Sequence, residues 1–147
     1  MSIKQIKAGF LLTCFLFAFT STVSGQQNVA DSIKRVIGFT NDANRINLLF
    51  KLTDAYLKYA PKRAIESATE AKILSTQLQN DTLEAKSMAY LGKVNYRIGN
   101  FKDAITLYDQ AAKIYMRIGR VNEAAKMLNS MASAYQNMGN YNEGLNK

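Results

Sequence analysis

The chain has few of the residue types on which many enzymes and metal sites depend. Its 147 residues contain no histidine, no tryptophan and one cysteine, Cys14. A single cysteine forms neither an internal disulfide nor a cysteine-based zinc site, and Ser-His-Asp systems, Cys-His systems and histidine-ligated metals all need histidine. We therefore expect a protein that is not an enzyme and that holds no metal and no cofactor.

The segment 1–25 has the three-part layout of a secretory signal peptide. Lys4 and Lys7 precede an apolar run over residues 8–19, and small and polar residues follow up to Gly25. The run is shorter than the ~20 residues that a membrane-spanning helix needs. We predict cleavage between Gly25 and Gln26, which exports the chain across the inner membrane to the periplasm or the outer side of that membrane. A retained leader that anchors the chain is the alternative.

The positive charge of the chain limits the classes of molecule that we expect it to bind. Lys and Arg number 19 against 11 Asp and Glu, a formal net charge of +8. Little nucleic acid is present outside the cytoplasm, so the predicted export argues against a nucleic-acid ligand. A protein or peptide, with acidic ones among the candidates, is the expected partner. The alternative is that the charge only keeps the domain soluble.

The remainder of the chain repeats itself with a period of about 40 residues, which indicates a stacked array of similar units. Residues 98–101 (IGNF) fall on residues 138–141 (MGNY), and residues 91–92 (LG) fall on 131–132 (MA). We divide the chain into a signal peptide (1–25), a short helical lead-in (26–43) and an array (44–147). The units of the array are approximately 44–80, 81–120 and an incomplete 121–147.

Each unit is predicted to be a pair of helices. Apolar residues recur three or four positions apart, and no alternating stretch indicates a strand. Pro61 suits a helix start, and Gly99, Gly119 and Gly139 suit helix ends. The expected helices are 41–59, 61–78, 82–98, 101–118 and 121–138, after a short amphipathic segment at 29–37. The predicted fold class is all-α.

A set of small and aromatic residues in the units resembles the tetratricopeptide repeat pattern, in the variety with long helices. The residues that carry the resemblance are Leu91, Gly92, Gly99, Phe101, Ala104, Tyr108 and Ala111 in the second unit and Tyr135, Gly139 and Tyr141 in the third. The resemblance implies a right-handed superhelical array of antiparallel helix pairs, here about two and a half repeats. It implies a protein-interaction scaffold and says little about the ligand.

A narrower resemblance concerns the context of the array. An exported leader, a helical lead-in and a first unit with residues 44–49 (NRINLL) and 60–64 (APKRA) are similar to the N-terminal sensory region of bacterial membrane-bound histidine kinases and related regulators. The resemblance implies that the chain is the front of a longer signalling receptor. A stand-alone periplasmic or surface adaptor or assembly factor is the alternative.

The resemblance also suggests where a ligand binds. In tetratricopeptide arrays the first helix of each pair lines the concave face. The residues expected there are Lys86, Lys93 and Arg97 on the helix 82–98, and Lys126, Asn129, Ser133, Gln136 and Asn137 on the helix 121–138. These side chains suit an acidic peptide, which they would bind through charge-assisted hydrogen bonds. The alternative is a solvated helix face without a ligand.

Overall fold

Helices are the only regular structure in the part of the chain that the structure describes. The computed structural model describes residues 25, 27–37 and 41–145, with side chains up to Gly139. The six helices are α1 (residues 27–37), α2 (Asp42–Tyr56), α3 (Pro61–Gln77), α4 (Asp81–Arg97), α5 (Phe101–Arg117) and α6 (Val121–Leu145). Apart from Gly25, the predicted signal peptide and its cleavage site at Gln26 lie outside the described residues.

Helices α2 to α6 pack in the order in which they follow along the chain. Each consecutive pair from α2–α3 to α5–α6 is in contact, and short turns make neighbouring helices antiparallel. The predicted all-α solenoid of helix pairs is thereby confirmed. None of the described helices has both the length and the apolar character needed to cross a bilayer.

The helix starts follow the period of the sequence. Helices α2 and α4 begin at Asp42 and Asp81, and α3 and α5 begin at Pro61 and Phe101. Both shifts agree with a repeat of about 40 residues. Equivalent residues of successive helix pairs therefore lie at the same level along the axes of their helices. This register decides which side chains meet between one pair and the next.

Three turns of the array have the same geometry. Gly99 and Gly119 adopt the left-handed φ values of 85° and 74° that end a helix, and Gln79 adopts a φ of 51° at the corresponding position. The next amide then bonds back to the last helical turn, as the Asn100 N–H does to the Asn95 carbonyl at 2.9 Å. Gln79 takes this conformation without the freedom of glycine.

The expected helix end at Gly139 is not observed. Helix α6 continues from Val121 to Leu145 as one helix, and the turn that would precede a helix at Tyr141 does not form. A glycine lowers helix propensity by about 1 kcal/mol, which permits a turn without requiring one. The turns at Gly99 and Gly119 are stabilised because the following helix packs on its predecessor.

Small residues at the helix crossings hold the helices close together. The alanines with no exposed surface are Ala30, Ala64, Ala68, Ala71, Ala85, Ala104, Ala111, Ala124 and Ala134. Tyr56, Tyr108 and Tyr115 fill the larger spaces, each at most 6% exposed. Tyr135 differs, with 52% of its surface exposed, because no described helix covers that side of α6.

Two pairs of buried hydroxyl groups link helices α2, α3 and α4. Thr53 Oγ1 lies 2.9 Å from Ser67 Oγ between α2 and α3. Ser75 Oγ lies 3.2 Å from Ser87 Oγ between α3 and α4. Thr53 and Ser87 also donate to carbonyls of their own helices. These four buried hydroxyl groups are thus hydrogen-bonded, as buried polar groups need to be.

We expect Gly92→Ala to lower the free energy of unfolding. A Cβ atom at residue 92 would lie 2.7 Å from Tyr108 Cε1, and overpacking of this kind costs about 1–3 kcal/mol. Gly139→Ala is the matched control, because a Cβ at residue 139 meets nothing within 4 Å and gains up to ~1 kcal/mol of helix propensity. Urea denaturation monitored by circular dichroism measures both. Equal effects of the two substitutions would contradict the close approach of α4 and α5.

Candidate functional site on helices α2, α4 and α6

The predicted binding residues lie on a surface that the first helix of each pair forms. Helices α2 and α4 touch directly, and α4 reaches α6 through a hydrogen bond from Asn137 Nδ2 to the Tyr96 hydroxyl at 2.6 Å. We call this surface the α2–α4–α6 face. Because the helix pairs stack in register, equivalent positions of the three helices lie side by side on it.

Aromatic rings form the contact between α2 and α4. The rings of Phe50 and Tyr90 stack with centroids 4.5 Å apart and planes 14° from parallel. Lys86, one of the predicted groove cations, lies with its Nζ 4.7 Å from the Phe50 centroid. A cation at this distance is attracted to the face of the ring. Lys86 therefore contributes to the packing of α2 against α4.

Asp54 accepts two hydrogen bonds from α4. Its Oδ1 lies 2.7 Å from Lys93 Nζ, and its Oδ2 lies 3.2 Å from the Tyr90 hydroxyl. Burial raises the pKa of Tyr90 to about 12, and the negative charge of Asp54 and its hydrogen bond add to the shift. The Lys93–Asp54 pair is about half exposed, so it contributes at most ~1 kcal/mol to stability. It does neutralise the charge of Lys93.

Hydroxyl groups surround a small cavity where α4, α5 and α6 meet. Tyr96, Tyr108, Ser130 and Ser133 line this space of about 170 Å³. Burial raises the pKa of Tyr108 to about 12, with a smaller contribution from Tyr96. Asn137 fixes the Tyr96 ring at one side of the cavity. The cavity thus offers neutral hydrogen-bonding groups beside the charged part of the face.

The remaining predicted residues are on the surface. Arg97, Lys126, Asn129 and Gln136 are all exposed. Among the described residues, neither Arg97 nor Lys126 forms an ion pair. The structure therefore brings the predicted residues onto one face, and two of its cations, Arg97 and Lys126, form no ion pair among the described residues. That these residues bind a peptide stays a prediction.

The sequence analysis did not predict Phe50 and Asp54, the residues of α2 that contact α4 on this face. The signal was present in the register, because Asp54 and Lys93 are one repeat apart and so occupy equivalent positions. Opposite charges at equivalent positions of neighbouring first helices predict an ion pair between them. In the described residues there is no group of three or more acidic, cysteine or histidine side chains that could hold a metal.

The fold and this face define a helical-repeat protein. A model of the soluble NSF attachment protein (SNAP) family matches residues 38–147, most of the chain. The protein therefore belongs to this family. Helical-repeat domains of the SNAP type bind other proteins, which agrees with the expectation of a protein partner. No curated protein matches the chain significantly.

We expect the buried tyrosines to make the protein less stable in alkali. A tyrosine whose pKa is raised by folding keeps its proton after the unfolded chain has lost its own. The stability that neutral Tyr90 and Tyr108 contribute is complete below pH 10.0, decreases as the pH rises above 10.0 and is lost as the pH passes through about 12. The free energy of unfolding should fall over this range, and it should fall less steeply in Tyr90→Phe and Tyr108→Phe variants.

Denaturation with urea at a series of pH values measures this slope. Ile73→Ala is the control, because Ile73 is half exposed and has no titratable group, so its replacement should leave the slope unchanged. If all three variants follow the unaltered protein, burial of Tyr90 and Tyr108 does not govern the alkaline loss of stability.

Proposed function

We propose that this protein is an interaction module that binds an acidic peptide segment along the α2–α4–α6 face. The charge distribution of this face is the observation that carries the proposal. Lys93 already neutralises Asp54, whereas Arg97 and Lys126 are exposed and form no ion pair among the described residues. Their charge belongs to a chain with a net charge of +8, or +6 after removal of the proposed leader with Lys4 and Lys7, which attracts acidic partners.

The face offers complementary groups for a carboxylate and for a peptide backbone. An arginine such as Arg97 binds a carboxylate with two parallel hydrogen bonds. Asn129, Ser133 and Gln136 are exposed on the neighbouring helix α6 and supply neutral donors and acceptors for peptide groups. The amphipathic stack keeps these side chains on one rigid surface, which lowers the entropy lost on binding.

The repeat units themselves are, in our proposal, of the tetratricopeptide type. The packing of Gly92 against Tyr108 supports this assignment, as do the fully buried Ala104 and Ala111 and the edge-to-face contact of Phe101 with Tyr96 at 5.8 Å. These are residues of the repeat signature. The name of the matching family, an attachment protein for NSF, also supports a non-enzymatic role in which one protein holds another.

We further propose that the array acts outside the inner membrane, as the N-terminal sensory region of a longer signalling receptor. The leader-like composition of residues 1–25 and the lead-in before the first unit support this proposal. A stand-alone periplasmic or surface adaptor has the same leader and the same face. The two differ in the size and location of the native protein.

We expect a double variant, Arg97→Glu with Lys126→Glu, to lose affinity for acidic peptides. The variant replaces two attractive charges with two repulsive ones, and each lost charge-assisted hydrogen bond costs ~1.5–3 kcal/mol. The measurement is fluorescence anisotropy with a labelled peptide of alternating Glu and Ala, beside a peptide with Gln in place of Glu. Binding to the Glu peptide should weaken at least about tenfold and should decrease with added salt.

Lys62→Glu with Lys102→Glu is the matched control for this experiment. Both lysines are exposed in the first turn of the second helices α3 and α5, so the control changes the net charge equally on helices outside the α2–α4–α6 face. An equal loss of affinity in both double variants would show general charge attraction and would reject the face as the binding site.

We expect the protein recovered from the periplasmic or membrane fraction to begin at Gln26. Amino-terminal sequencing measures this directly, and a protein that begins at Met1 in the cytoplasmic fraction would reject export. An immunoblot with an antibody to residues 82–138 separates the two contexts. A membrane band far heavier than 16.4 kDa indicates the receptor, and a soluble band slightly lighter than 16.4 kDa indicates the adaptor.

A further inference from the structure

The cavity between α4, α5 and α6 contains a tyrosine hydroxyl that the fold leaves without a hydrogen-bond partner. Tyr108 is 5% exposed and lines this space together with Tyr96, Ser130 and Ser133. Within the part of the chain that the structure describes, the Tyr108 hydroxyl forms no hydrogen bond. Most buried polar groups in proteins do have a partner. The cavity is therefore a candidate site for a polar group of a ligand.

The cavity arises from small residues at two positions of the repeat. Ser130 and Ser133 stand 40 positions after Tyr90 and Lys93. In the preceding unit those larger side chains occupy the junction between first helices, because Tyr90 stacks on a ring of α2 and Lys93 pairs with Asp54. Serine side chains are too short to do the same between α4 and α6. The space is thus specific to this junction and is not a general feature of the fold.

The tyrosine side of the cavity offers hydrogen-bond donors. The Tyr96 hydroxyl accepts a hydrogen bond from Asn137 Nδ2 at 2.6 Å, so its own hydrogen is left to donate. The same Nδ2 donates to the Ser133 carbonyl at 3.0 Å, which fixes the orientation of the Asn137 amide. Burial raises the pKa of Tyr108 to about 12, so Tyr108 keeps its proton at neutral pH. Both tyrosine hydroxyls can therefore donate to a ligand.

The serine side of the cavity offers acceptors. Ser130 Oγ donates to the Lys126 carbonyl at 3.0 Å, and Ser133 Oγ donates to the Asn129 carbonyl at 3.1 Å. Each hydroxyl hydrogen is thus held within α6, and each Oγ keeps lone pairs that can accept. A ligand group that fits both sides accepts hydrogen bonds from the tyrosines and donates hydrogen bonds to the serines.

A primary carboxamide has this combination of donors and acceptors. Its carbonyl oxygen accepts two hydrogen bonds and its NH2 group donates two. A carboxylate has no hydrogen to donate to the serines, and an apolar group satisfies neither side. The space of about 170 Å³ is several times the ~10–15 Å³ that one water molecule needs, so the three non-hydrogen atoms of a carboxamide fit. Because the group is uncharged, its transfer from water costs far less than that of an ion.

We propose that this cavity binds the side-chain carboxamide of a glutamine or asparagine in the peptide ligand. The proposal rests on the proposed function and specifies its ligand further. The two exposed cations of the face are close in sequence to the cavity, since Arg97 follows Tyr96 and Lys126 precedes Ser130 by one helical turn. The preferred ligand is therefore an acidic segment with an amide side chain between its carboxylates.

A small carboxamide tests the cavity without any peptide. The probe is propionamide, with propionate as the comparison, added to ¹⁵N-labelled full-length protein whose backbone amide signals are followed by NMR. Propionamide should shift the signals of Ser130, Ser133 and Asn137 in a saturable manner with a millimolar dissociation constant. Propionate at the same concentrations should not. The absence of saturable shifts with propionamide, or equal binding of propionate, would overturn the proposal.

Three variants test which groups hold the carboxamide. Tyr108→Phe removes a donor and Ser133→Ala removes an acceptor, and each should weaken propionamide binding about three- to tenfold. Tyr135→Phe is the matched control, because it removes a hydroxyl from a half-exposed tyrosine of α6 outside the cavity, and it should bind as the unaltered protein does. Circular dichroism verifies that each variant is folded. Unchanged binding in Tyr108→Phe and Ser133→Ala would place the probe elsewhere and reject the site.

Two peptides distinguish this proposal from the proposed function. Both alternate Glu and Ala, and one has a central Gln where the other has a central Leu. By fluorescence anisotropy the Gln peptide should bind at least about tenfold more tightly, and Tyr108→Phe should reduce this difference while it leaves the affinity for the Leu peptide unchanged. Equal binding of the two peptides would reject the cavity as a determinant of specificity, although the acidic-peptide function would stand. Binding of propionamide but of neither peptide would support the carboxamide site and reject the acidic-peptide function.

Discussion

The structure depends on the inability of one amphipathic helix pair to bury its own apolar surface. Each helix from α3 to α5 has a neighbour on both sides, and stability arises from these nearest-neighbour contacts. Alanines without exposed surface at the crossings let the backbones approach. Gly92 is the extreme case, since even one methyl group there would collide with the Tyr108 ring. The remaining features of the molecule follow from this stacking.

The candidate site is a product of the stacking register. Because α2 and α4 begin at equivalent points of their repeats, Lys93 and Asp54 occupy equivalent positions and form an ion pair across two helices. The same register places Tyr90 on Phe50 and Asn137 beside Tyr96. Side chains that are far apart in the chain thus form one surface without any loop or strand. The exposed cations of that surface, Arg97 and Lys126, are available to bind a partner.

The sequence predicted the helices well because two independent signals agreed. Apolar periodicity located α2 to α5 to within a few residues, and glycines at 99 and 119 marked their ends. At residue 139 the glycine signal was present, but the apolar periodicity of a following helix was incomplete. Helix α6 continues through Gly139. A glycine permits a turn, whereas packing of the next helix decides whether the turn forms. Tyr135 is exposed for the same reason, although its spacing is that of a core residue. The pairing of Lys93 with Asp54 depends on the register of two helices and cannot be read from either helix alone.

The turn between α3 and α4 differs from the others in one residue. Gln79 holds a φ of 51°, where the later turns use glycine, and this conformation costs a residue with a Cβ roughly 1–2 kcal/mol. In a one-dimensional array each junction has its own strength, and the array separates first at the weakest one. The strained turn lowers the stability of the junction between α3 and α4 relative to a glycine turn. Separation at this junction would divide the α2–α4–α6 face at the stack of Phe50 on Tyr90.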